Sequence, residues 1–480
     1  MKTDINTRRP ATLASVVGRH RPALLLAGGV GLAAACSRTS DPVEHYLASA
    51  APTASAGRGA VASGGSAGAT GGKSPSSEAG RSATAAGGAA PDAVDAAGQA
   101  GIGTDPVLMP PVDDCGDAPV STDPFTRRNL RLAAAACANW HYCRFENGAR
   151  ALADELAEHV SGPTTDSLDK VKAAYGSAFE LLSTNESLQF GPLSAQSESA
   201  GKDSYQGKGL RELMYSWPLS ARCRVEDQVA QRAYTQDMKS VLVAGRGMFA
   251  LDYLLFYPGS DTACLASSST GQKWLALSAD DIVGGKLEYA SAVADDILLQ
   301  AQTLRAAWAS DGGNFGPLFI DATGYPSEQE AMKVLAWALL YLEREVKDWK
   351  LGVPSGHTAT APVSVAEAAF SGLKIGPIRQ NLRGFRALFQ GCGSDGEGLG
   401  FDDWLREAGH PELATEIIAA YRDAQAIADG SPELDTLTPE QLEALYQAVK
   451  ALTDLLKNDL FGAGSPLGLT LPPGLEGDTD

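Results

Sequence analysis

The chain has 480 residues, a net charge of −19, 44% hydrophobic residues and 20% charged ones, a composition that supports a sizeable buried core. So acidic a chain, with no later cluster of Lys and Arg, excludes nucleic-acid binding, which needs clustered cations to neutralise phosphates. It also argues against peripheral attachment to anionic lipid by charge alone, and its acidity reads first as a solubility device.

The first 35 residues have the order of an export signal. Scattered cations (Lys2, Arg8, Arg9, Arg19, Arg21) precede the apolar run Ala23 to Ala35, so this stretch is not a fold element. The run is about a dozen residues, short of the roughly twenty that span a bilayer, which disfavours a permanent anchor helix. Leu32, Ala33, Ala34 and Ala35 stand directly before Cys36. That arrangement resembles the lipobox of bacterial lipoproteins and implies acylation of the Cys36 sulfur, the alternatives being an ordinary cleaved signal or an uncleaved anchor. Removal of residues 1–35 takes the net charge from −19 to about −23. Ser37 lacks the aspartate that retains many lipoproteins at the inner membrane, so the expected location is the cell envelope, on the outer membrane, with the acyl chains as the membrane contact.

Residues 36–114 are dominated by Ala, Gly, Ser and Thr, with too few large apolar side chains to seed a core, and read as a disordered tether. At random-coil dimensions such a run reaches about 50 Å. The stretch ending at Lys73 and Ser74 resembles a phosphate-binding loop but has Ala67 at the first glycine position and no preceding strand, so it is set aside.

From Cys115 onward helical periodicity dominates, and the expected fold class is all-α. Residues 115–465 are expected to form the folded domain, in two packed bundle halves (about 115–270 and 271–465), with 466–480 a disordered acidic tail. Phe125 to His159 carries Leu130, Leu132, Ala136, Trp140, Phe145 and Leu152 as a core-facing stripe. Further helices are expected over Leu168–Leu182, Met238–Phe256, Ser278–Trp308, Ser327–Trp349, Ile378–Phe389, Pro411–Ala428 and Pro439–Leu460. Ser278, Ser327 and Thr438 are placed as N-caps, with Glu330 and Pro439 supporting the last two.

Six cysteines follow Cys36: Cys115, Cys137, Cys143, Cys223, Cys264 and Cys392. An even number in an exported chain permits disulfides. Cys137 and Cys143 are six residues apart in one helix, about 9 Å along its axis, too far to bridge each other. No CxxC, HExxH, GxSxG or EF-hand loop is present, and the histidines (His20, His45, His141, His159, His357, His410) are scattered. The most informative segment is GRGMFALDYLLFYP, Gly245 to Pro258. Asp252 is its single acid among apolar residues on every helix face, so it is expected to be buried and to need donors, a cation or a proton. A ligand contact and a structural acceptor tying two helices together both fit.

That segment resembles the signature of the imelysin family, the insulin-cleaving membrane protease group, whose hallmark is GxHxxE followed by an aromatic residue and leucines. Further similarities follow in order: Leu130, Tyr142 and Phe145; FELLSTNESLQFGP ending at Pro192; YSWPLSARCRVED around Trp217 and Pro218; FSGLKIGPIRQNLRGFRALFQG; and GLGFDDWLREAG around Asp402. The resemblance implies two helical bundle halves in an exported or lipid-anchored protein, with a link to iron acquisition and an envelope partner in metal uptake. On the motif, Gly247 takes the glycine position, Phe249 the histidine position and Asp252 the glutamate position. Phenylalanine neither coordinates a metal nor transfers a proton, so the expectation is a non-catalytic binding component, with iron or another divalent metal as the ligand the family implies and Asp252 its one protein donor. A metallopeptidase and a tethered surface interaction module are the competing readings. Cys223 and Cys264 flank the signature helix, as a bridge pinning it or as two buried thiols.

Overall fold

A computed structural model describes residues 114–194, 207–358, 366–472 and 475. The export signal, Cys36, nearly all of the tether, and residues 473–474 and 476–480 of the tail lie outside the described residues.

The described residues form an all-α fold. α1 (Arg127–Ser161) starts where Thr126 accepts from the Asn129 amide, and α2 (Thr165–Glu186) starts at a capping box between Thr164 and Ser167. Short helices follow: α3 (Leu210–Met214), α4 (Arg222–Gln231), α5 (Gly247–Phe256) and α6 (Ser269–Leu275). α7 (Ala279–Trp308) is the second long helix, opened by a capping box between Ser278 and Asp281. Then come α8 (Phe315–Ile320), α9 (Glu328–Trp337), whose cap Ser327 accepts from the Glu330 amide, and α10 (Gly352–Ser355). α11 (Ile375–Phe389), α12 (Phe401–Glu407), α13 (Pro411–Gly430) and α14 (Pro439–Asp454) complete the set. At α14, Pro439 occupies the first turn and Thr438 forms its box with Gln441, satisfying amides that the helix itself leaves open.

α1 packs on α2 and α7, α5 lies on α7, α2 contacts α11, and α11 leads through α13 to α14. One continuous apolar core runs through them, from Leu130 and Tyr175 to Ile417 and Leu456. Among the described residues no helix is long and apolar enough to cross a membrane.

Four expectations are corrected. The start of the expected disordered tail is packed: Leu467 and Leu469 are buried in the core, and Gln329 and Trp337 donate to the Leu467 and Thr470 carbonyls. On α1 the core stripe runs through Leu130, Ala134, Ala138, Tyr142, Phe145, Ala149 and Leu152, whereas Leu132 is 38% exposed and Ala136 also faces out. Those two sit out of phase with a three- and four-residue step. The helix expected over Met238–Phe256 begins only at Gly247, because Met238–Ser240 and Val243–Gly245 are single 3₁₀ turns. The helix expected over Ser327–Trp349 changes character after Trp337, passing through a 3₁₀ turn into a π-helical segment, Leu342–Leu351. A second π segment, Leu455–Leu460, closes α14.

Gly247 explains the first break. Its φ is +72°, and a Cβ there would stand 2.7 Å from the Met214 carbonyl oxygen, beside the antiparallel bridge between Gly247 and Tyr215. Gly247→Ala therefore meets both left-handed backbone strain and a backbone collision, and is expected to lower the unfolding free energy by roughly 2 kcal/mol or more. Urea denaturation checks this; a loss below ~0.5 kcal/mol would show that the turn relaxes freely.

Candidate functional site

α5 is buried along its length: every residue from Gly247 to Leu255 is buried. This follows from a segment apolar on all faces, which can be stable only when surrounded by protein. Asp252 is 1% exposed, and its carboxylate receives two backbone amides, Phe370 N at 2.9 Å and Ser371 N at 3.0 Å. Burial raises its pKa, opposed by hydrogen bonds from Ser371, from the Phe370 amide and from Tyr175. Asp252 thus works as the acceptor that fastens the 366–374 segment to α5. Phe249 reinforces the same junction, its ring meeting Phe370 edge-on at 6.2 Å, while Phe370 also packs on Tyr253 at 5.2 Å and Tyr257 at 5.4 Å. At the histidine position of the motif there is consequently an apolar contact.

The fastened segment carries Glu367 into a buried ionic network that no local pattern in the sequence announces. Glu186, the last residue of α2, receives Arg211 through Nε at 3.1 Å and Nη2 at 2.6 Å. Its other oxygen takes Lys350 Nζ at 3.0 Å and Asn381 Nδ2 at 3.2 Å. Lys350 also donates to Asn381 Oδ1 at 2.9 Å and lies 2.7 Å from Glu367 Oε1, which in addition accepts from the Tyr215 hydroxyl at 2.8 Å. Arg211 further donates to the Trp217 carbonyl. None of these four charged residues is more than 5% exposed, so each depends on its partners.

The electrostatics divide the two carboxylates. Burial raises the Glu186 pKa, yet Lys350 and Arg211 outweigh that and hold it down to about 2. Glu367 lacks the arginine; burial raises it, with Lys350 opposing. Burial together with Glu367 lifts the Tyr215 hydroxyl well above its ordinary range, so it is a proton donor at any physiological pH. A cavity of about 300 Å³ adjoins this network, lined by Trp217, Trp349, Lys350 and Glu367 among others.

All six of the later cysteines are bridged: Cys115 with Cys143, Cys137 with Cys392, and Cys223 with Cys264. The last bridge ties the N-terminal part of α4 to the strand of chain following α5. Among the described residues the one group of three potential metal donors is Cys137, His141 and Cys392, with donor atoms within 4.8 Å of one another. Its two sulfurs are bonded to each other, leaving His141 as the available ligand, and Asp252 belongs to no such group.

Gly247, Phe249 and Asp252 do come together with partners, and the partners are what the sequence left unnamed: Phe370, Ser371 and, earlier in the same turn, Glu367. The one local signal was Lys350, a lone cation between Trp349 and Leu351; Glu186, between Asn185 and Ser187, and Arg211, beside Glu212, carry none. Cys36 lies outside the described residues.

Comparison with curated proteins finds no match. Among solved structures the fold is similar to an imelysin-like protein from Psychrobacter arcticum 273-4, with 16% identity, a TM-score of 0.54, and coverage of 74% of this chain and 100% of that one. It is also similar to a protein from Parabacteroides distasonis ATCC 8503 described as an iron-regulated protein A precursor, with 15% identity, a TM-score of 0.51, and coverage of 72% and 97%. The sequence profile described as Imelysin matches residues 139–458, two thirds of the chain and all of the elements that build this site except the first turns of α1; the protein belongs to the imelysin family.

Proposed function

We propose that this protein is a lipoprotein of the cell envelope, tethered through Cys36 and carrying its imelysin domain as a non-catalytic binding component of iron or other metal uptake. The observation that carries the non-catalytic part is the use made of the motif positions. Phe249 supplies an aromatic contact where the motif has a metal-binding imidazole, and both oxygens of Asp252 are taken by the Phe370 and Ser371 amides. A hydrolytic metal site needs about three protein donors and an open position for water, and a carboxylate spent on two amides is a poor start for one. Support for the iron link is the description of the Parabacteroides neighbour as iron-regulated. Support for the anchor is the run Leu32 to Cys36 after an apolar stretch too short to span a bilayer. An outer-membrane position and an envelope partner belong to the same reading.

Iron-starved cells lacking the gene are expected to take up radiolabelled iron more slowly, and to recover with the wild-type chain but not with Cys36→Ser. The purified domain is expected to cleave no member of a peptide library in a chelator-sensitive way. Uptake indifferent to the deletion would remove the iron link, and chelator-sensitive cleavage would remove the non-catalytic assignment.

A further inference from the structure

The cavity beside the ionic network has the make-up of a small-molecule pocket. Trp217, Trp349, Val353 and Leu434 give it apolar walls, with Lys350 and Glu367 as its buried charged groups, and about 300 Å³ is the lower end of the size range for such sites. Trp217 and Trp349 meet edge-to-face at 6.4 Å, so the two indoles form a corner rather than a filled stack.

One polar atom on the residues that line this pocket is unaccounted for. Glu367 is 5% exposed, and its Oε1 is engaged by Lys350 and Tyr215, but Oε2 is buried with no hydrogen-bond partner among the described residues. A buried carboxylate oxygen without a donor is costly, and the Tyr215 and Lys350 contacts are both made to the other oxygen. The neighbouring cations do not relieve it. Arg211 is committed to Glu186, Lys350 is divided between Glu186 and Glu367, and Lys374 at the rim is paired with Asp435 at 2.6 Å.

We infer that this cavity binds a small organic amine, its ammonium donating to Glu367 Oε2 and its apolar or aromatic body lying against Trp217 and Trp349. Indole faces favour a cation as well as an apolar body, and a charge-assisted hydrogen bond to a desolvated carboxylate is among the stronger polar contacts available. A carboxylate ligand would face Glu367 itself, and a neutral alcohol would supply the hydrogen bond without the charge. The inference rests on the reading of the domain as a binding rather than a hydrolytic module, and it names the chemistry of the bound group.

Isothermal titration of the purified mature chain with 2-phenylethylamine, 2-phenylethanol and phenylacetate tests it. The amine is expected to bind at least about ten-fold more tightly than the alcohol, with phenylacetate weakest. Glu367→Gln is expected to abolish the preference of amine over alcohol while the alcohol still binds, and Trp349→Ala, at a half-buried wall position, to weaken both. Equal affinity of amine and alcohol in the wild type, tightest binding of phenylacetate, or no binding of any of the three would overturn the proposal, and these wild-type results stand even if Glu367→Gln fails to fold. Amine binding in a protein whose deletion leaves iron uptake unchanged would keep this pocket and discard the iron link; the reverse pair of results would do the opposite.

Discussion

Arg211→Met is expected to lower the unfolding free energy by about 3–5 kcal/mol, the cost typical of leaving a buried charge without its partner. The guanidinium makes two contacts to Glu186 Oε1 and one to the Trp217 carbonyl, all of which methionine loses while filling much of the same volume. Two carboxylates, Glu186 and Glu367, would then share the single ammonium of Lys350. Adding Glu186→Leu to that variant restores a balance of one carboxylate and one ammonium, so the double variant is expected to be more stable than Arg211→Met alone. Urea denaturation at neutral pH reads both. A single-variant loss under ~1 kcal/mol, the range of exposed ion pairs, would mean that water reaches the network and that its partners are not obligatory.

That network also marks the boundary of what the sequence makes legible. The all-α class, the long helices α1, α2, α7, α13 and α14, and the caps Ser278, Ser327 and Thr438 depend on periodicity and on residues three or four apart, so a linear reading reaches them. The burial of α5 was likewise legible, because Met248, Phe249, Leu251, Tyr253 and Leu254 leave no polar face. What escapes is everything assembled across distance. Glu186 meets Arg211 from 25 residues away, Lys350 from 164 and Asn381 from 195, and no spacing rule links positions so far apart. The donors to Asp252 are backbone amides, which carry no residue signature at all. The π segment that holds Lys350 was hidden for a different reason: over ten residues a widened turn leaves nearly the same apolar pattern as an ordinary helix. The same distance rule governs the cysteines. Excluding a bridge between Cys137 and Cys143 needed only the helical rise, whereas joining Cys137 to Cys392 required the packing of α1 near the end of α11.

The second large effect concerns acid. His141 is 8% exposed on α1, edge-on to Trp140 at 4.7 Å and next to the Cys137–Cys392 bridge. Burial, with Arg144 and Arg386 adding to it, lowers its pKa from 6.5 to about 3. A histidine held neutral in the folded state contributes stability that is complete above its unfolded value of 6.5 and is lost as pH falls toward about 3. Glu186, held down to about 2, gives way in the same direction but lower, from the ordinary carboxylate range downward. Asp402 runs the other way: burial followed by Asp403 raises it to about 6, so its contribution is greatest in acid and fades as pH rises through that value. Total stability against pH therefore mixes signs, and the histidine has to be isolated by difference. His141→Gln keeps a polar side chain that cannot charge, and its stability relative to wild type is expected to improve by ~4 kcal/mol between pH 8 and pH 3. Thermal or urea unfolding at a series of pH values measures that difference. A difference that stays flat across the series would mean that His141 takes up its proton inside the folded protein at no cost, and the dry, cation-flanked surroundings of this part of α1 would have to be redrawn.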